Sequence, residues 1–461
     1  MRRLLAAALV LAAANPARAA DRPPNVVLIL ADDVGYGDLG CFGQTRIRTP
    51  HLDQLAKDGV RFTQSYAGST VCAPSRCALM TGLHTGHCRV RGNGGGGGPR
   101  SNVPLAPTDM CVAELLQRAG YATALVGKWG LGEEGSVGVP TRKGFGHFFG
   151  YLNQHHAHNY YPDFLIRGTA RERIDNPQSD TENVAARRNF YAPDLLREDA
   201  LRFIAANRDR PFFLFFATIA PHANNEKTRA TGDGNEVPTD TPYSNEAWPQ
   251  PEKNKAAMIT RMDADVGAIL ARLRELGLER DTLVIFSSDN GPHKEGGNDP
   301  AFFRSSGPFR GFKRALTDGG IRVPTIARWP GTLRPGTSDH VWAFWDFLPT
   351  ACDLAGAAVP PGLDGVSLAP TLTGRGEQRR HEFLYWEFHE GGFKQAVRHG
   401  NWKAIRQSPG AALELYDVAA DPGEARDVAA ANPAVVARIE AYLRTARTDS
   451  TEFPIRPAKK P

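Results

Sequence analysis

Several things are scarce in this chain, and each scarcity narrows the reading. Beyond the first twenty residues no apolar run approaches the ~20 residues needed to cross a bilayer, so no stable membrane insertion is expected. Neither sign of charge dominates: 55 Lys and Arg face 50 Asp and Glu, a net of +5. That balance argues against a nucleic-acid partner, while a mildly basic cleft for an anionic substrate stays compatible. Six cysteines in 461 residues (Cys41, Cys72, Cys77, Cys88, Cys111 and Cys352) are too few for a dense disulfide scaffold. No paired Cys/His zinc spacing appears, and there is no internal repeat. Nor is this the composition of a disordered chain, since 41% of residues are hydrophobic and only 23% charged, enough apolar material to bury a core.

The beginning is the exception to the polar pattern. Met1-Arg2-Arg3, the apolar run Leu4 to Ala14 and the small residues before Asp21 form a charged region, a short apolar region and a cleavage site. Residues 1–20 are therefore expected to be a signal peptide, and the mature chain to be exported, periplasmic or secreted. The length exceeds what one core usually supports, so a large domain over 21–365 and a smaller one over 366–461 are expected.

Apolar, β-branched runs at 25–31, 121–126, 212–219 and 282–287 alternate with amphipathic segments at 50–58, 109–119, 194–206 and 255–276. This alternation predicts an α/β fold with a largely parallel sheet flanked by helices. Each run leads into polar residues: Asp32-Asp33, Lys128-Trp129, Pro221-His222 and Asp289-Asn290. Ligands of open α/β sheets bind beyond the carboxyl ends of the strands, so four such endings can converge on one site. The glycine run 94–98 has no side chains to pack and predicts a mobile surface loop. After a Pro- and Gly-rich stretch at 355–378, short strands at 381–388, 395–397, 403–406 and 413–416 and a helix at 433–447 predict a small α+β subdomain.

The strongest signal is Cys72-Ala73-Pro74-Ser75-Arg76, continued by Cys77-Ala78-Leu79-Met80-Thr81-Gly82. Four fixed positions at ~5% frequency each would match by chance well under ~0.01 times in a chain of this length. The run resembles the signature of the sulfatase family, in which the Cys of Cys-x-Pro-Ser-Arg is oxidised to formylglycine by a maturation enzyme. A proline just inside a helix start would place residue 72 at a helix N-terminus, where partial positive charge favours anions. The resemblance spans almost the whole mature chain, through Leu415-Tyr416-Asp417 and Asp421-Pro422-Gly423-Glu424. It implies an alkaline-phosphatase-like α/β domain, a small C-terminal subdomain with an antiparallel sheet, and hydrolysis of sulfate esters.

Asp32 and Asp33, in Asn25 to Asp38, and Asp289 and Asn290, in Ser287-Ser288-Asp289-Asn290-Gly291, look like the family's metal segments, with residue 72 beside them. Three carboxylates and an amide oxygen are hard ligands, suited to Ca2+, less to Mg2+, and poorly to Zn2+. The resemblance further assigns sulfate contact to Lys128 and Lys313, orientation of the hydrated aldehyde to Arg76, and a substrate-side position to His222. Two ammonium groups and a guanidinium would offset charge building on sulfate and leaving oxygens, and His222 could protonate the departing alcohol.

One departure stands out. Many sulfatases have His where this chain has Gly130, in Gly-Lys-Trp-Gly. The His- and Tyr-rich run Gln154 to Pro162 offers a replacement, with His158 as a substrate contact, and His293 is read the same way. Two other readings stay open: a phosphomonoester or phosphodiester hydrolase of the same architecture, and a non-catalytic glycan-binding relative. The expected partner is a small or oligosaccharide sulfate ester, with a sulfated carbohydrate favoured.

Overall fold

The computed structural model describes residues 22–94 and 103–455. The expected signal peptide and positions 95–98 of the glycine run lie outside the described residues. Strand β1 (Asn25–Ala31) reads NVVLILA and is buried at every position. A continuous apolar run is what a strand covered on both faces requires, because both sets of alternating side chains must leave water. The strands that follow are β2 (Val60–Phe62), β3 (Ser65–Tyr66), β4 (Ala122–Lys128), β5 (His147–Tyr151), β6 (Phe164–Arg167) and β7 (Ala170–Arg173). Then come β8 (Phe212–Ala217), β9 (Thr282–Ser288), β10 (Thr325–Arg328), β11 (Gly336–Ser338) and β12 (Trp342–Ala343).

Ten of these make one sheet in the order β11-β2-β10-β9-β1-β8-β4-β5-β6-β7. The centre, from β9 through β1, β8 and β4 to β5, is parallel, whereas β10, β6 and β7 pair antiparallel. The sheet is thus mixed and largely parallel, as the alternating pattern predicted. The register aligns Ala31 with Ser288 and Leu30 and Gly127 with Ala217. That alignment brings the carboxyl ends of β1, β4, β8 and β9 to one edge.

The helices are α1 (Pro50–Lys57), α2 (Cys72–Thr81), α3 (Val112–Arg118), α4 (Ala192–Ala206), α5 (Asn225–Thr231) and α6 (Gln250–Glu275). After them come α7 (Asp318–Ile321), α8 (Phe347–Ala355) and α9 (Ala369–Thr373). On one face of the sheet, Val27, Ile29, Leu214 and Phe216 pack with Leu52, Leu196, Ile204 and Val266 from α1, α4 and α6. On the other, Val26, Leu28, Phe213 and Phe215 pack with Leu79, Leu116 and Leu348 from α2, α3 and α8. Each fully buried aliphatic or phenyl side chain contributes roughly 1.5–3 kcal/mol of transfer free energy.

Strands β13 (Leu384–Phe388), β14 (Lys394–His399), β15 (Trp402–Arg406) and β16 (Glu414–Asp417) form a separate antiparallel sheet. Helix α10 (Pro433–Leu443), four residues shorter than the sequence pattern suggests, covers one face through Ile439 and Leu443. The opposite face, carrying Trp386, Ala396 and Ile405, packs against Tyr66, Val71 and Trp345 of the larger body. Buried ion pairs reinforce that contact: Lys403 Nζ lies 2.6 Å from Asp318 Oδ1, and Arg91 Nη1 lies 3.0 Å from Glu387 Oε1.

Candidate active site

The four strand ends do converge. Asp289 N donates to Ala31 O (3.0 Å), and Asp33 N donates to Asp289 Oδ1 (3.1 Å), so the ends of β1 and β9 are stitched together. Asp33 holds φ at 71°, a left-handed conformation that turns the chain sharply after β1. Asn290 Nδ2 donates to Asp33 Oδ1 at 2.6 Å. Asp32, Asp33, Asp289 and Asn290 are all wholly buried.

Cys72 is the first residue of α2 and is buried, with Sγ 3.3 Å from Asp32 Oδ1. Arg76 follows one turn later on the same face. Its Nη2 and Nε donate to Asp289 Oδ2 at 2.8 and 3.1 Å, and its Nη1 donates to the carbonyl of Lys128 at 2.8 Å. Lys128, the last residue of β4, donates from Nζ to Asp32 Oδ2 at 2.6 Å. Lys313 donates to Asp33 Oδ2 at 2.8 Å and to His222 Nε2 at 3.1 Å. His222 Nδ1 in turn donates to the carbonyl of Ala223 at 2.7 Å, which leaves Nε2 as the acceptor toward Lys313.

Three carboxylates and three cations therefore share one buried volume. Burial alone would raise the Asp32 carboxyl, but Lys128, His222, Arg76 and Lys313 hold it well below the usual range. Asp289 goes the other way: burial, then the charges of Asp32 and Asp33, outweigh Arg76 and push it up to about 7. Burial and the ammonium of Lys313 hold His222 well below an ordinary imidazole. Burial and the Asp32 charge raise the Cys72 thiol, so an unmodified Cys72 is a neutral thiol and a poor nucleophile.

The donor set fits a divalent cation. Asp32, Asp33, Cys72 and Asp289 each offer one ligand atom, all within 4.8 Å of one another. Asn290 Oδ1 is buried with no hydrogen-bond partner among the described residues, an orphaned hard acceptor on the residue whose amide nitrogen donates to Asp33. Oxygen donors of this kind suit Ca2+ or Mg2+.

His158 lies at the mouth of the site. Its ring stacks on His222 (centroids 4.8 Å apart, 11° between planes), and its Nδ1 lies 2.9 Å from Glu226 Oε2. His293 is placed differently. Its Nδ1 and Nε2 face the carbonyls of Glu295 and Pro221 at 3.0 and 3.1 Å, and one ring nitrogen lies within 4.8 Å of the carboxylates of Asp33 and Glu295. Gly130 holds φ at 79°, and a Cβ on it would meet Gln154 Nε2 at 1.9 Å. That amide nitrogen is buried without a partner.

Sequence reasoning missed Gln154 as the occupant of that space, and it missed Glu226. The available signal for Glu226 was an acidic residue four positions after His222, opening a helix capped by Asn224, whose Oδ1 accepts from Lys227 N (3.0 Å).

Comparison with known proteins agrees with this geometry. The sulfatase family model matches residues 24–357, and a model described as N-sulphoglucosamine sulphohydrolase, C-terminal, matches residues 307–449. Arylsulfatase A of Homo sapiens is 33% identical, over 87% of this chain and 83% of its own. N-acetylgalactosamine-6-O-sulfatase of Bacteroides thetaiotaomicron is 27% identical, over 92% of this chain and 93% of its own. The crystal structure of Ps i-CgsB in complex with k-i-k-neocarrahexaose superposes with a TM-score of 0.77 at 27% identity, covering 94% of this chain and 95% of that one. No helix among the described residues is long and apolar enough to cross a membrane. A family model covering most of the chain, relatives above 30% identity along most of their length, and a cysteine-bearing helix start set among carboxylates and cations lead to one conclusion: this chain belongs to the sulfatase family and is an enzyme that hydrolyses sulfate esters.

Proposed function

We propose that the enzyme removes sulfate from a sulfated carbohydrate, using a formylglycine made from Cys72 and a bound Ca2+. The observation that carries this reading is the position of Cys72: buried at the start of α2, 3.3 Å from Asp32, inside a set of three carboxylates and three cations. As a hydrated aldehyde, residue 72 would offer two hydroxyls, one to attack sulfur and one whose deprotonation expels sulfate. A bound Ca2+ would be held by Asp32, Asp33, Asp289, Asn290 and residue 72, and would supply Lewis acidity toward a sulfate oxygen.

The remaining work falls to the side chains. Arg76, fixed by Asp289 and the Lys128 carbonyl, orients the hydroxyls of residue 72. Lys128 and Lys313, each on a different carboxylate, offset the growing negative charge of the sulfate. His222 and Lys313 hold a proton between them at 3.1 Å, and from there His222 serves the departing alcohol oxygen. His158 contacts the alcohol half of the ester.

The carbohydrate reading draws on the N-acetylgalactosamine-6-O-sulfatase relative and on the oligosaccharide-bound Ps i-CgsB structure. A signal peptide at 1–20 would deliver the chain to such substrates outside the cytoplasm, after a formylglycine-generating enzyme has acted. Phosphate-ester hydrolysis is disfavoured because the Lys313 ammonium, 2.8 Å from Asp33 Oδ2, adds a fixed cation to an oxygen-rich set suited to one divalent ion. The test is to assay released sulfate across a panel of sulfated mono- and oligosaccharides alongside phosphate esters. Sulfate release from a sugar supports the reading, and phosphate release exceeding it overturns the reading.

A further inference from the structure

Glu226 is 6% exposed and lies in the first turn of α5, two residues after the Asn224 cap and four after His222. The chain segment that delivers His222 to the sulfate-binding groups therefore also delivers this carboxylate. Its Oε2 accepts from His158 Nδ1 at 2.9 Å and from Asn183 Nδ2 at 3.4 Å. Its Oε1 accepts from Arg229 Nη2 at 2.7 Å and lies 3.3 Å from His155 Nε2. Burial alone would raise this carboxyl; His155 and His158 outweigh that and hold it well below the usual range, so the group facing His158 is a carboxylate.

Two consequences follow for His158. Because Nδ1 is the nitrogen bound to the carboxylate, it carries the proton, and Nε2 is the nitrogen left for a ligand. Among the described residues no hydrogen bond is made by that Nε2. The ring lies flat against His222, one ring thickness outward from Lys313 and Asp33. Its side chain is 14% exposed where that of His222 is 4%. An ester whose sulfate reaches Lys128 and Lys313 must carry its alcohol half outward, past His158.

We propose that Glu226 is a positioning residue for substrate selection: its carboxylate fixes the His158 ring so that Nε2 hydrogen-bonds a hydroxyl of the sugar that bears the sulfate. This rests on the carbohydrate-sulfate reading above and adds to it the group that recognises the sugar. A carboxylate that only tied the 155–158 loop to α5 would affect all substrates alike. A carboxylate that aims a hydroxyl-binding nitrogen affects the substrates that have hydroxyls.

The experiment compares wild type, Glu226→Gln, His158→Ala and the double variant. Each is assayed on the best-hydrolysed member of a sulfated monosaccharide panel that includes N-acetylgalactosamine 6-sulfate, and on 4-nitrophenyl sulfate, an aryl ester without hydroxyls. Thermal unfolding of each protein is recorded in parallel. Glu226→Gln is expected to lower kcat/KM on the sugar by about 10- to 100-fold, chiefly through KM. The aryl ester should lose less than ~3-fold, and His158→Ala added to Glu226→Gln should cost the sugar less than a further ~3-fold, because the two act as one unit. Where Glu226→Gln folds poorly, His158→Ala is read in its place: it leaves the Glu226 contacts to Arg229 and Asn183 intact and should cost the sugar at least ~10-fold more than it costs the aryl ester. Equal losses on both esters, additive losses, or a wild type that hydrolyses only the aryl ester would each overturn the inference. A wild type that releases sulfate from neither class removes the parent reading, and this one with it.

Discussion

The Gln154 amide stands where the side chain of residue 130 would begin, since a Cβ on Gly130 would lie 1.9 Å from Gln154 Nε2. The chain thus fills that space from the 153–159 loop. Gly130 also sits at φ 79°, where an L side chain adds strain of roughly 1–2 kcal/mol.

Placing histidine at this position should therefore harm the protein. Gly130→His is expected to lower the thermal midpoint and the turnover of sulfate esters. Gln154→Ala in the same chain should recover part of the loss in midpoint, by removing the clash and leaving the strain. A Gly130→His protein with wild-type midpoint and turnover would show that the amide moves aside freely.

Metal removal tests the oxygen cluster. Asp32, Asp33 and Asp289 are wholly buried, and Asn290 Oδ1 lacks a partner, so the cation is expected to stabilise as well as activate. Dialysis against chelator should abolish turnover and lower the midpoint. Added Ca2+ should restore both, and Zn2+ should restore neither to the same extent. A fully demetallated preparation that retains turnover would take these four residues out of the role given to them.

Much of this site was legible because its residues sit where long apolar runs stop. Strand β1 was read at its observed limits, and the strands before Lys128 and Asp289 within two residues, since fully buried parallel strands leave an unbroken apolar record. Short or edge strands such as Ala170–Arg173, exposed throughout, carry no such record and went unread. The same holds within the site. Cys72, Arg76, Lys128 and Lys313 stand in recognisable runs, whereas Glu226 gains its meaning only when α5 folds back to bring its carboxylate to His158, 68 positions away. His293, read from its run as a substrate contact, stands beside His222 with its nitrogens facing backbone carbonyls and within 4.8 Å of Asp33.

Cys72→Ala should leave the fold intact, because the side chain is small and α2 is held by packing along its whole length. Turnover should fall at least ~1,000-fold, as expected when a nucleophile is removed. Intact-mass measurement of active wild type should show residue 72 as the aldehyde or its hydrate. An unmodified thiol in a fully active sample would end the formylglycine proposal.

Acid sensitivity is the last expectation, and it concerns the join between the two sheets. Glu387, on β13, is wholly buried and hydrogen-bonds Arg91 of the larger body, Arg447 and His389. Burial alone would raise its carboxyl, but His389, Arg91 and Arg447 outweigh it and lower it from 4.5 to about 2. A carboxyl lowered on folding contributes stability that is fully present above its unfolded value and is lost as pH falls through its folded value. The loss should therefore run from about pH 4.5 down to about pH 2, on the order of 3 kcal/mol in all. Glu387→Gln removes the titrating group, leaving the buried Arg91 guanidinium short of a counter-charge and the half-buried Arg447 with Asp449 alone. It should lower the midpoint at pH 7 and flatten the dependence of the midpoint on pH within that window. Thermal unfolding of both proteins between pH 2.5 and pH 7 checks this, and parallel curves for the two would place the acid-sensitive join elsewhere.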